Sequence, residues 1–296
     1  MTTNPLGTSS SASSALPVVN SSGGGKSSPL ANFPIQVEHP PLSKLHYVLC
    51  NEEDQNEILE QLSPARSNGV HLGFSCWLNF DILAEKKTPY AILCDFDSNM
   101  IALLNFIQKI IIISRTPDEF IETFWQKLSS QEKLDFEGFL GPRGHVNYEQ
   151  FCEKMKQGGW LSSPEKFQTI KDMYAQGKIL HRKLDVTDES AFNQIKQWAL
   201  DHHLVFDTLY TSNIPEWIFQ STFEKRQTLY RNVAKIIDPR TQVITAQKTN
   251  QYGSEQPKLS LTTGSHPQIH YERSKKKRRV MNNPPTINPL TFKGFD

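Results

Sequence analysis

The sequence predicts an α/β fold: a doubly wound, mostly parallel sheet with a helical insert and disordered tails. Three observations predict it. Apolar runs of strand length alternate with segments of helical period between residues 70 and 246. Those runs stop at Gly73, Asp95, Asp185 and the Ser212-Asn213 pair. Ser, Gly and Pro crowd the start of the chain, and a basic run stands near its end. Strand, glycine turn, helix, strand and terminal carboxylate, in that order over Asn68–Asn99, make the opening βαβ unit of a Rossmann-like sheet.

The chain has 296 residues, 37% of them hydrophobic, and a net charge of +1, which suits one sizeable domain plus tails and gives no nucleic-acid signature. Residues 1–37 read as a disordered leader, because they hold no acid and no aromatic before Phe33. Pro17 interrupts Ala15-Leu16 and Val18-Val19, so no secretory signal is expected. Gly23–Ser27 ends like a phosphate loop but lacks a preceding strand and the first glycine. The folded domain is then 38–273, and 274–296 is a disordered basic tail. Cys50, Cys76, Cys94 and Cys152 form no C-x-x-C pair, which makes reduced thiols and a cytoplasmic setting the default. Cys76 falls in the proposed ligand turn, as a nucleophile or as a small buried hydrophobe. The histidines show no metal pattern, and no metal is expected.

Within the domain, a short strand is expected around His46–Cys50 and a helix near Asn56–Leu62. Val70–Leu72 ends at Gly73 as the first strand, Trp77–Glu85 reads as helix, and Tyr90–Cys94 runs into Asp95. Met100, Leu103, Leu104, Ile107, Ile110 and Ile111 fall at helical spacing, in a core too short and too often interrupted to span a bilayer. Thr116, Pro117 and Glu119 form a helix start with a capping box, and Ser163-Pro164-Glu165 signals another. Between them Phe120–Leu128 and Tyr148–Lys156 read as helices divided by a Gly141–Gly144 turn. This insert, about 114–176, is expected to shape a substrate pocket. The sheet resumes over Lys178–Leu184, Thr187-Asp188-Glu189 start a helix bearing Phe192, Ile195, Trp198 and Ala199, and Leu204–Tyr210 is the fourth strand. A helix over Phe223–Ile236 precedes a fifth strand at Thr241–Ala246 and a last, antiparallel one at Gln268–Tyr271.

Chemistry follows from the strand ends. An ionised carboxylate presents two acceptor oxygens, so Asp95 can hold both vicinal hydroxyls of a ribose. Gly73 lets the backbone approach a ligand where a Cβ would collide. Gly69 and Gly73 do not make G-x-G-x-x-G, and a dinucleotide needs those glycines to seat its pyrophosphate, which counts against a nicotinamide enzyme. Each residue also has a plainer reading. Asp95, Asp97 and Asp185 can cap helices, Ser212-Asn213 can be a turn before Pro215, and Tyr210, Trp160 and Trp217 can be core.

Taken in order, Gly73, Cys94-Asp-Phe-Asp97, Leu184-Asp-Val-Thr187 and Phe206-Asp-Thr-Leu-Tyr-Thr-Ser-Asn213 resemble the first four motifs of class I S-adenosylmethionine-dependent methyltransferases. Ser212-Asn-Ile-Pro-Glu-Trp217 also looks like the fourth-strand segment of bacterial methyltransferase-like proteins. The resemblance covers roughly residues 66 to 250. It implies S-adenosylmethionine as cofactor, with Asp95 on the ribose, Asp185 and Val186 at the adenine, and Gly73 beside the methionine part. Ser212 and Asn213 would lie nearest the sulfonium and the acceptor, with Asn213 and Tyr210 as catalytic candidates by position. Two departures, the glycine-poor first turn and the short stretch after Ala246, give the alternative of a catalytically inactive interaction module. Lys275–Arg279 is either a contact for an import receptor or anionic surface, with nuclear targeting in a eukaryotic cell, or a solvated tail.

Overall fold

The computed structural model describes residues 28–41, 52–75, 77–133, 148–219, 223–247 and 257–265. The expected strand at 46–50, Cys50, Cys76, the 141–144 turn, the 268–271 strand and the basic tail lie outside them.

Among the described residues the chain runs α1 (Gln55–Glu60), β1 (Gly69–Phe74), α2 (Trp77–Lys86), β2 (Tyr90–Asp95), α3 (Ser98–Ile113), α4 (Pro117–Lys127), α5 (Tyr148–Lys156) and α6 (Pro164–Ala175). It continues through β3 (Ile179–Lys183), α7 (Glu189–Asp201), β4 (Val205–Tyr210), α8 (Ile214–Phe219), α9 (Phe223–Ile236), β5 (Gln242–Gln247) and β6 (Lys258–Thr263). The strands form one sheet in the order β3-β2-β1-β4-β5-β6. β1 to β5 are parallel, and β6 is antiparallel to β5. This is a Rossmann-like α/β fold, and its strand order reverses direction between β1 and β4.

Helix starts follow the predicted chemistry. Thr116, Ser163 and Asp188 accept backbone N–H groups three residues on, and Asp97 accepts from Asn99. The sheet is buried on both faces. Val70, Leu72, Phe74, Ile92 and Cys94 pack against α7 and α9, whereas Ala91 and Leu93 face α2, α3 and the insert. The insert deepens that second core with a contiguous aromatic cluster of Trp77, Phe80, Phe120, Phe124, Phe151, Trp160 and Phe167. Helices α4 to α6 thus extend the core, where the sequence suggested a substrate pocket.

One boundary is corrected. Residues 28–37, assigned to the leader, are packed: Leu30 and Phe33 are buried, Trp198 Nε1 donates to the Pro29 carbonyl, and Arg182 Nε donates to that of Ile35. Two large apolar side chains here outweigh the Ser- and Pro-rich composition. The last described strand is Lys258–Thr263, where Leu259 is buried on the pleat beside Ile244 and Ala246.

One carboxyl group fixes the insert to the sheet-covering layer. Asp81, on α2, is buried, and its Oδ1 accepts the Trp160 N–H at 2.7 Å. Gly159 sits at φ +70°, and a Cβ there would come within 2.1 Å of that oxygen. Burial pushes the Asp81 carboxyl up to about 7, against the pull of the Trp160 N–H and Lys166. Because the folded-state value exceeds the unfolded one, Asp81 contributes stability below about pH 4 that is lost as pH rises through about 7. Asp81→Asn keeps an acceptor for Trp160 and removes the charge. Its melting temperature relative to the parent is expected to climb between pH 5 and 8; a difference that stays flat with pH in calorimetric scans would refute the titration of Asp81.

Candidate functional site

In an open parallel sheet ligands bind beyond the carboxyl ends of the strands where the strand order reverses, here the ends of β1 and β4 with β2 and β3 alongside. Asp95 closes β2, opposite Lys183 of β3. Its carboxylate is half-buried and accepts the Asp97 N–H at 2.9 Å. Burial pushes it up to about 6, with the N–H groups of Asp97, Phe96 and Ser75 pulling the other way and the Asp97 charge adding to the rise. Asp97 is the α3 N-cap, so the two acids divide the roles of strand end and cap. Between them Phe96 is 72% exposed, the most open of the large apolar side chains among the described residues. An aromatic ring held in water beside a strand-end carboxylate was not singled out in the sequence, although its position between two aspartates was visible there.

The turn after β1 is built from side chains instead of glycines. Asn79, in the first turn of α2, donates to the Phe74 carbonyl at 3.0 Å and the Ser75 carbonyl at 3.2 Å. Its amide oxygen must therefore face His71 Nε2, 2.9 Å away, and that nitrogen carries the imidazole proton. Burial lowers His71 to about 4, so the ring is neutral. Ser75 is held at φ +68°, a left-handed conformation usually left to glycine, and its N–H donates to the Cys94 carbonyl. A Cβ on Gly73 would stand 1.7 Å from Asn79 Oδ1 and 2.5 Å from His71 Nε2. The missing side chain of Gly73 thus makes room for the Asn79–His71 pair.

At the end of β3, Asp185 is exposed, and its Oδ1 accepts both the N–H and the hydroxyl of Thr187 at 2.8 Å. Val186 packs into the core and its carbonyl accepts from Asn232. The side chain of Val186 is thus core, and a ligand there would meet the Asp185 carboxylate and the backbone. At the end of β4, Tyr210 and Ser212 are buried and Asn213 is half-buried. Both hydroxyls converge on Glu52 Oε1, Ser212 at 2.6 Å and Tyr210 at 3.1 Å. Glu52 was not singled out in the sequence; it lies 158 residues from Tyr210 in a stretch without periodicity. Trp160 is core. Asp95, Asp185, Ser212 and Asn213 share one edge of the sheet. Among the described residues no His, Cys, Asp and Glu cluster could hold a metal ion, and no helix is long and apolar enough to cross a membrane.

Sheet and edge together define an α/β protein of Rossmann-like topology with its switch point between β1 and β4. The chain belongs to the family described as "Domain of unknown function (DUF7790)", whose model matches residues 47–136 and 143–287. None of the curated proteins matches it. Among solved structures it is similar to the glycopeptide N-methyltransferase MtfA complexed with S-adenosyl-L-methionine, at 11% identity and TM-score 0.31 over 78% of this chain and 72% of that one. A second structure of MtfA gives 8% identity and TM-score 0.35 over 83% and 84%. The S-adenosyl-L-homocysteine complex gives 10% and 0.28 over 80% and 68%. The fold assignment rests on the strand order itself.

Proposed function

We propose that the protein binds S-adenosylmethionine at the carboxyl edge of its sheet and transfers the methyl or a related group to an acceptor. The observation that carries this reading is Asp95: a half-buried carboxylate at the end of the second strand, beside the switch point, with the exposed ring of Phe96 next to it. Asp95 would accept the two ribose hydroxyls, Phe96 would offer its face to the adenine, and Asp185 would accept from the adenine amino group. The glycine-poor turn suits a cofactor without a pyrophosphate.

The cofactor supplies a sulfonium, already a good leaving group, so the chain's own residues need mainly to bind, orient and exclude water. Ser212, Asn213 and Tyr210 stand nearest the acceptor. A second reading, a non-catalytic module that keeps the fold and binds a partner, is favoured by one observation: the space over Gly73 is filled by Asn79 and His71.

The test is a thermal-shift screen with S-adenosylmethionine, S-adenosylhomocysteine and NAD. A ligand at 100 times its dissociation constant adds about 2.7 kcal/mol, or roughly 5–10 °C for a domain of this size. We expect shifts with the first two and none with NAD. Binding prefers the ionised Asp95, so affinity should hold above about pH 6 and fall below it. No shift with any of the three would favour the non-catalytic module.

A further inference from the structure

The packed segment that precedes the first helix follows the outer strand of the sheet, β3, and ends beside Asp95. Where it starts, Trp198 of α7 donates to the Pro29 carbonyl, and the Phe33 ring stands edge-on to Trp198 at 4.9 Å. Midway, the Arg182 guanidinium of β3 lies 5.9 Å from the centre of the Phe33 ring and donates through Nε to the Ile35 carbonyl at 2.8 Å. Where it ends, Glu38 Oε2 accepts from Ser98 Oγ at 3.3 Å and lies 3.7 Å from Lys183 Nζ. Lys183 closes β3 as the Cα partner of Asp95, and Ser98 opens α3 two residues after Phe96. A strap rooted in the core thus finishes on the turn that carries Asp95 and Phe96.

The two ends of the strap differ in strength. Arg182 is 7% exposed, and the carbonyls of Ile35 and His181 with the face of Phe33 compensate its burial. The Glu38 contacts are made by half-exposed side chains and add little to the stability of the free protein. Their consequence is positional. Two exposed apolar side chains stand at this corner, Phe96 at 72% and Val37, next to Glu38, at 51%. Both leave in water a surface that a flat, uncharged ring would cover.

We propose that residues 35–38 are the outer wall of the nucleoside site: Val37 covers the face of the base turned away from Phe96, and Glu38, acting through Ser98, positions the turn that presents Phe96. The proposal rests on the cofactor reading above. Val37 is then a specificity-determining residue and Glu38 a positioning residue. A turn fixed before the ligand arrives spares binding the cost of ordering it.

Calorimetric titration of full-length variants with S-adenosylhomocysteine, beside thermal melts of the unliganded proteins, tests it. Val37→Ser and Glu38→Ala should each weaken binding about 3- to 10-fold. Ser98→Ala should lower affinity as Glu38→Ala does, and the double variant no further than either, because the two side chains make one contact. Unliganded melting temperatures should stay within about 2 °C of the parent, since these side chains lie at the surface. An ion pair that only decorates the surface would move neither quantity. In the parent, saturating S-adenosylhomocysteine should slow amide hydrogen exchange over residues 35–38. Parental affinity in Val37→Ser or in Glu38→Ala, an additive loss in the double variant, or unchanged exchange over 35–38 overturns the wall and leaves the cofactor reading standing. If the parent does not bind the compound, the cofactor reading fails and this proposal falls with it.

Discussion

Asp95→Ala is expected to weaken binding of S-adenosylhomocysteine by about 10- to 100-fold or more, since it removes charge-assisted hydrogen bonding to the ribose worth roughly 1.5–3 kcal/mol per bond, of which a single bond already accounts for the lower figure. The unliganded protein should lose little. Asp95 is held by the Asp97 N–H, but burial pushes its carboxyl up to about 6, so at pH 8 the parent carries the cost of an ionised, half-buried group that the variant lacks. Asp97→Ala is the control and should do the reverse. It removes the α3 N-cap, which accepts from Asn99 at 2.9 Å, and should cost about 1 kcal/mol of stability with affinity nearly unchanged. Calorimetric titration and thermal melts of both variants separate the two effects. Parental affinity in Asp95→Ala would sink the ribose assignment.

Asp207→Ala should be the most damaging single change to stability, at about 3–5 kcal/mol, because it strips the shared anion from two cations at the opposite end of the sheet. Asp207 is buried on β4, with Arg66 Nε 2.8 Å from one oxygen and Lys86 Nζ 3.2 Å from the other. Arg66 would retain Asp238 at 2.6 Å, at a more exposed position. Lys86 is the vulnerable partner. Its side chain is 1% exposed, burial already lowers its pKa against the pull of Asp207, and the Ser63 carbonyl and Gln242 Oε1 left to it are neutral. Urea unfolding followed by circular dichroism should show the midpoint falling with an unchanged slope. A loss below about 1 kcal/mol would mean that the cations relax into water.

The β1–α2–β2 unit and most later elements could be read from the sequence because their signals are local. Apolar runs of strand length, a change to helical period, and Thr, Ser or Asp before a helix act within a few residues. Asp95 was legible for the same reason, at the end of an apolar run with a second acid, Asp97, two residues on to cap α3. What escaped is held by contacts between distant residues. Glu52 acquires its place from Tyr210, Ser212 and β6, and nothing in its neighbourhood announces it. Gly73 was visible as a glycine, but the Asn79 amide that needs its space comes from the following helix. Leu30 and Phe33 were submerged in a low-complexity background, although the ring of Phe33 stacks edge-on against Trp198. Phe96 was hidden for another reason: periodicity marks which side chains are buried, and it does not mark the one that the fold leaves in water.

The bridge that ties Glu53 to Pro257 and Leu259 sets an order of events on the ribosome. Strands β2, β3 and β4 can each add as they emerge to a strand already made, β2 and β4 to β1 and β3 to β2. Glu52 is translated before all of them, yet its anchor is among the last described residues to be synthesised. A nascent chain stopped after β5 would therefore have the Asp95 end of the edge and lack the anchor of the Glu52 end. Maturation of this edge is a late step, coupled to docking of the antiparallel strand across a loop of some 200 residues whose closure entropy must be offset by that contact.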